Sequence, residues 1–289
     1  MTTPYDRFLA EADWLENNLS APNLRIVDCR LRFDMDAERD IHFYSARNEW
    51  LKAHVPRATY VNIESELSRP DSDLPFMLPG TDHFAEAVSR LGIEDGTTVI
   101  LYDDFYNIWA ARMWWMLRAF GFCEARVLNG GLTKWKMEGR PLASGEEPAE
   151  RSNFVARPNR DIFIGKNDVL AATKDPATLI VDALPPDQYS GENPSWVERP
   201  GHIPTSKNIP FLDVVDLETH TYLPPRELSK KFAAINCRND ASVVTYCHAG
   251  NAASSVAFAA LLAGNERVSI YDGSLREWSA DPALPLETA

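Results

Sequence analysis

Two similar α/β domains in tandem, each a mostly parallel sheet flanked by helices, are the fold class this sequence predicts. Three observations predict it. Four segments recur in the same order in both halves of the chain. Within each half, short β-branched runs alternate with longer helical spacings. The 289 residues, at about 150 per domain, leave room for two.

The repeats are specific. Leu24-Arg-Ile-Val-Asp28 is echoed by Leu179-Ile-Val-Asp182, and Ala53-His-Val-Pro by Gly201-His-Ile-Pro. Val99-Ile-Leu-Tyr102 is echoed by Val243-Val-Thr-Tyr246, and Leu128-Asn-Gly-Gly131 with Trp135 by Tyr271-Asp-Gly-Ser274 with Trp278. The offsets shrink smoothly: 154 from Asp28 to Asp182, 148 from His54 to His202, 144 from Tyr102 to Tyr246 and 143 from Trp135 to Trp278. Loop-length differences between two copies of one fold produce that drift.

Each element has a local reason. Residues 99–102 and 243–246 are short apolar runs of buried-strand type. Residues 108–120 and 252–262 have helical length and end at Gly121 and Gly264, residues suited to a left-handed C-terminal turn. Residues 82–91 and 225–232 have helical spacing. Between the copies, Ser144, Gly145, Glu146, Glu147 and Pro148 have linker composition. The expected division is a first domain over 1–143, a linker over 144–160 and a second domain over 161–289.

Composition narrows the function. Lys and Arg number 29 and Asp and Glu 42, a formal net charge of −13. That sign disfavours nucleic acid and anionic membranes as partners. No run approaches the ~18 apolar residues of a membrane span. The first residues lack a basic region leading into an apolar one, so a cytoplasmic protein is expected. Four cysteines without a CxxC pair suggest reduced thiols, not a disulfide scaffold. The six histidines lack metal-ligand spacing, so no metal is expected.

Cys247 is the residue in a special context. It follows the strand 243–246 and precedes the helix 252–262, where open α/β sheets bind ligands. Gly250 and Asn251 tolerate positive φ, so residues 248–253 can curl and direct backbone N–H groups inward. Such a cradle stabilises a thiolate, an oxyanion or a terminal sulfur on Cys247. A lowered Cys247 pKa is therefore expected. Cysteine phosphatases need an arginine six residues on; Ala253 stands there. Cys29, Cys123 and Cys237 lack a comparable loop and read as inert thiols.

These segments, with Ala111-Arg112-Met-Trp-Trp-Met-Leu-Arg-Ala-Phe-Gly121, resemble the tandem-domain rhodanese family of sulfurtransferases over nearly the whole chain. The resemblance implies a catalytic second domain and an inactive first one. Position 247 − 144 = 103 holds Asp103, a carboxylate that cannot carry sulfane sulfur and is either a solvated loop residue or a restraint on cleft charge. It implies double displacement through a Cys247 persulfide, from a small anionic donor to cyanide or a thiol, without cofactor. The expected substrate-binding residues are Arg112, reaching across the domains, and the loop His248, Ala249, Gly250, Asn251, Ala252 and Ala253. His248 is either a pH-sensitive partial cation or a solvent-facing residue. His54 and His202 are expected to be structural.

Four positions depart from the family's pattern. His248 and Ala249 replace the basic pair of the thiosulfate branch. Ala249 and Phe76 replace polar residues of the mercaptopyruvate branch. Leu184 replaces an arginine that the first domain keeps as Arg30. The pattern Cys-x-x-Gly-Asn favours thiosulfate as donor, with 3-mercaptopyruvate, or a partner protein's persulfide, as alternatives.

Overall fold

The computed structural model describes residues 4–36, 41–194, 196–238 and 241–288. Two five-stranded sheets, parallel throughout, form the centres of two domains. Read from edge to edge, the first runs Leu9–Ala10, Ala125–Leu128, Thr98–Tyr102, Leu24–Asp28, Ala58–Tyr60. The second runs Phe163–Ile164, Val268–Tyr271, Ser242–Tyr246, Thr178–Asp182, Lys207–Asn208. The strand order is the same in both, as the sequence repeats require. The central strands Thr98–Tyr102 and Ser242–Tyr246 are covered on both faces, which is why they read as unbroken apolar runs.

A helix follows each central strand: Ile108–Ala119 and Asn251–Leu262. Both are buried nearly all round, because they pack on their own sheets and on each other across the domain boundary. Trp114 meets Phe258 edge-on at 4.9 Å, and Trp115 Nε1 donates to the Ser254 carbonyl at 3.0 Å. The apolar core is consequently continuous through both domains. Helices Thr81–Arg90 and Pro225–Ala234 lie at the expected places, the latter two residues longer than its apolar spacing suggested.

Residues 144–160 hold neither helix nor strand. They run along the first domain: Phe154 is buried beside Phe84, and Arg157 N–H donates to the Phe120 carbonyl at 2.8 Å. One element stands outside the repeat. Leu31–Met35 pairs antiparallel with Ile41–Ser45 ahead of the short helix Arg47–Lys52, whereas in the second domain the corresponding helix Pro186–Ser190 follows the strand Thr178–Asp182 with no such hairpin between.

Candidate active site

Cys247 is the first residue past the strand Ser242–Tyr246, and it is 3% exposed. The chain then turns through Gly250, at φ +77°, into the helix Asn251–Leu262. A Cβ on Gly250 would lie 2.9 Å from Arg112 Nη1 and 3.2 Å from the Asp272 carbonyl oxygen. Glycine is needed there for both conformation and space. The turn points the N–H groups of Ala249, Gly250 and Ala253 at the Cys247 sulfur. From outside, Cys247 N–H donates to Ser274 Oγ at 3.3 Å. Leu275 and Arg276 N–H donate to the carbonyls of Cys247 and His248 at 2.9 and 3.1 Å. The cradle anticipated from the sequence is therefore present and braced.

Its effect on the resting thiol differs from expectation. Burial pushes the Cys247 pKa up, and the three amides pull it down without cancelling that rise. The expected fall does not occur, because none of the described side chains brings a positive charge to the sulfur. The amides act instead on charge that forms at or beyond Sγ during reaction.

The first domain shows the same cradle already filled. Asp103 is buried, and its carboxylate accepts four backbone N–H groups. Phe105 and Asn107 reach Oδ1 at 2.7 and 3.0 Å; Trp109 and Ala110 reach Oδ2 at 2.9 Å each. Burial pushes its pKa up to about 6 while the amides oppose that rise. Asp103 is thus not a solvated loop residue. Asn107, at φ +62°, stands where the second domain has Gly250.

Arg112 reaches across the domains, and its Nε and Nη1 are buried without a hydrogen-bond partner among the described residues. It is 0% exposed and is absent from the walls of the cavity over Cys247. Its Nη2 pairs with Asp272 Oδ1 at 2.7 Å and donates to the Phe76 carbonyl, and its guanidinium lies 4.5 Å from the Phe163 ring centroid. Asp272 Oδ2 in turn accepts Leu78 N–H at 2.7 Å. Arg112 and Asp272 therefore clasp the two domains directly behind Gly250.

The cavity over Cys247 has a volume of about 230 Å³. Its floor is Cys247, His248, Ala249, Asn251 and Ala252; Gly250 and Ala253 are not among its lining residues. Leu184, Trp196 and Phe211 close it from the second domain, and Phe105, Ile108 and Trp109 from the first. The hairpin adds Phe33, Met35, Ile41 and Phe43. His248 is in the wall but not as a cation: burial, then the nearby Arg276, push its pKa down to about 4.

Leu184 has a direct structural consequence. In the first domain Arg30 forks onto Asp28, Nε to Oδ1 at 2.9 Å and Nη2 to Oδ2 at 2.6 Å. In the second, Asp182 Oδ1 accepts Leu184 N–H at 2.8 Å and Oδ2 lacks a well-formed hydrogen bond. Burial pushes the Asp182 pKa up to about 7, against the pull of that N–H and of the nearby Tyr246 phenol. The leucine side chain turns to the cavity instead.

The remaining candidates fall outside the site. Cys29 is buried behind its strand, Cys123 is exposed and Cys237 is half-buried; all are free thiols. His54 and His202 are structural: each Nδ1 meets a backbone carbonyl, of Trp50 at 2.7 Å and Tyr189 at 2.9 Å, and each ring stacks on that same side chain. Among the described residues no group of three or more His, Cys, Asp or Glu is placed to hold a metal, and no helix is long and apolar enough to cross a membrane. The hairpin was missed in the sequence reading, although alternation in Leu31-Arg-Phe-Asp-Met35 and Ile41-His-Phe-Tyr-Ser45 was its signal.

Comparison with known proteins agrees with this geometry. The rhodanese-like domain model matches twice, at residues 11–138 and 166–281. The chain is 32% identical to the 3-mercaptopyruvate sulfurtransferase of Escherichia coli (strain K12), covering 96% of each chain. It is 34% identical to the thiosulfate sulfurtransferase of Bos taurus, covering 94% of this chain and 92% of that one. The crystal structure of SseA from Escherichia coli, described as a 3-mercaptopyruvate sulfotransferase, superposes with a TM-score of 0.81 at 30% identity, over 92% of this chain and 98% of that one. With its two parallel sheets and its braced Cys247 loop, the chain belongs to the rhodanese family, as a tandem-domain sulfurtransferase of the thiosulfate and 3-mercaptopyruvate group.

Proposed function

We propose that the protein takes sulfane sulfur from thiosulfate-type donors, in which the leaving group is an oxidised sulfur, and passes it through a Cys247 persulfide to cyanide or a thiol. The supporting observation is the set of three amides, of Ala249, Gly250 and Ala253, aimed at a cysteine sulfur on a cavity floor. The thiol first loses its proton to water. The Cys247 thiolate attacks the outer sulfur of the donor, the S–S bond breaks, and sulfite leaves with the electron pair. The amides hold the negative charge of the resulting Cys–S–S⁻. Cyanide then attacks the outer sulfur, thiocyanate departs and the thiolate returns.

The first domain has no sulfur chemistry in this reading. Asp103 fills its cradle, and the helix Ile108–Ala119 that follows supplies cavity wall and the Arg112 clasp. The loop residues act through their backbone, His248 as an uncharged wall residue, and Arg112 as a brace for Gly250. A donor such as 3-mercaptopyruvate needs a seat for its carboxylate, and the described wall has no charged side chain to provide one. Initial rates over a grid of thiosulfate and cyanide concentrations test the proposal. Parallel double-reciprocal lines, and their loss in Cys247→Ser, are expected. Intersecting lines, or transfer surviving in Cys247→Ser, contradict it.

A further inference from the structure

We infer that Phe76 is a positioning residue for sulfur transfer: the turn it occupies ties the hairpin wall of the cavity to the segment that braces the Cys247 loop, across the domain boundary. The inference rests on the proposed sulfur-transfer reading of that site and adds a residue to it. Phe76 departs from the family's pattern, and its backbone is unusual as well. It follows Pro75 and has φ +60°, a combination found in type II turns, where glycine or asparagine is usual at the second position. A bulky residue in that conformation is strained, and such strain persists only where the surroundings over-determine it.

The surroundings engage both its ring and its backbone. The ring is buried, edge-on to Phe43 at 4.7 Å and tilted against Trp109 at 5.7 Å. Those two side chains line the cavity over Cys247, and Phe76 itself does not. The Phe76 carbonyl accepts Arg112 Nη2. Two residues on, Leu78 N–H donates to Asp272 Oδ2 at 2.7 Å. Between them, the Met77 carbonyl accepts Arg69 N–H at 2.9 Å, which ties the turn to the first domain. Because Arg112 and Asp272 also pair with each other, the turn meets both members of the domain clasp.

From Asp272 the connection reaches the nucleophile directly. Ser274 Oγ accepts Cys247 N–H at 3.3 Å, and Leu275 N–H donates to the Cys247 carbonyl at 2.9 Å. The turn therefore has two jobs on different atoms. The backbone of residues 76–78 holds the clasp, and with it the segment that braces the cysteine loop. The Phe76 ring supports the wall. That wall needs support, because the hairpin of Leu31–Met35 and Ile41–Ser45 has only two strands, and such a pair is marginal without packing. Glycine at position 76 would suit the turn better than phenylalanine. It would also leave Phe43 and Trp109 without the ring behind them.

Phe76→Gly separates the two jobs, since glycine keeps the left-handed turn and its backbone hydrogen bonds and removes only the ring. Hydrogen exchange of the amides in Leu31–Met35 and Ile41–Ser45, measured without substrate, should accelerate by about tenfold or more, while the helix Asn251–Leu262 exchanges as in the wild type. In steady-state transfer, kcat/KM for thiosulfate should fall by about 10- to 100-fold, because the donor is oriented by the wall. The kcat/KM for cyanide, a small nucleophile that meets the persulfide at the cradle, should stay within about threefold. Phe76→Leu retains apolar bulk and should show the same asymmetry with smaller changes; it carries the test if Phe76→Gly fails to fold. Unchanged hairpin exchange overturns the inference. So does an equal fall in both kcat/KM values, which is the behaviour of an ordinary core residue. A wild type that forms no Cys247 persulfide overturns the sulfur-transfer reading beneath it, and the exchange measurement, made without donor, tells that failure from a failure of Phe76 to hold the hairpin.

Discussion

Replacing Arg112 by Met tests whether this side chain braces the fold or contacts substrate. Its guanidinium is fully buried and pairs with Asp272 Oδ1 at 2.7 Å. Asp272 is itself only 8% exposed at the side chain. Removing the cation leaves a buried carboxylate with the Leu78 N–H as its remaining described donor. Breaking a buried pair from one side costs about 3–5 kcal/mol. With a urea slope of about 3 kcal/mol/M for a chain of this size, the midpoint should fall by about 1 M or more. Tryptophan fluorescence is a suitable readout, since Trp114 and Trp115 both sit at the domain contact. Arg112→Met with Asp272→Asn should recover at least about 1 kcal/mol of that loss, because neither charge is then orphaned. A midpoint unchanged within about 0.2 M, together with a selective loss of donor use, would place the guanidinium on the substrate and refute the bracing role.

Other expectations follow from buried titrating groups. Asp182 has its folded pKa raised to about 7, so its favourable contribution is present below about pH 4 and lost as pH rises through 7. Asp182→Asn should therefore gain about 2–3 kcal/mol on the wild type between pH 5 and pH 8, read from urea midpoints; a constant difference would contradict a carboxylate buried without a cation. His248 has its folded pKa lowered to about 4, so its contribution is present above about pH 6.5 and fades as pH falls toward 4. His248→Phe should leave the limb of the kcat/KM profile between about pH 5 and 8 unaltered, whereas loss of a limb near 6.5 would show that the imidazole titrates in the free enzyme. Asp103→Ala should destabilise the first domain by about 2–4 kcal/mol, since four N–H groups lose their acceptor, and a neutral outcome by thermal melting would mean that the cradle relaxes around the gap.

The sequence made the fold and the nucleophile legible for identifiable reasons. A tandem copy is recorded as ordered repeats, and the strand–loop–helix around Cys247 is written in local residue types: β-branched, then small, then helical. Arg112 was legible as a residue crossing between domains, but not its pairing, because Asp272 and Phe163 meet it only in three dimensions. The direction of the Cys247 shift depends on a contest between burial and three amides, and composition says nothing of how deep the thiol lies. The absent partner of Asp182 was announced by Leu184, but its effect required knowing that Oδ2 is buried. The hairpin was written plainly as alternation; what the sequence does not tell is that its apolar face turns toward a cysteine more than two hundred positions away.

The most direct measurement is the intact mass of the protein after exposure to thiosulfate, followed by peptide mapping of all four cysteines. One added sulfur atom, located on the peptide containing Cys247, removed by cyanide and absent in Cys247→Ser, is the predicted result. An unchanged mass, or sulfur placed on Cys29, Cys123 or Cys237 with Cys247 unmodified, would contradict transfer through the Cys247 cradle.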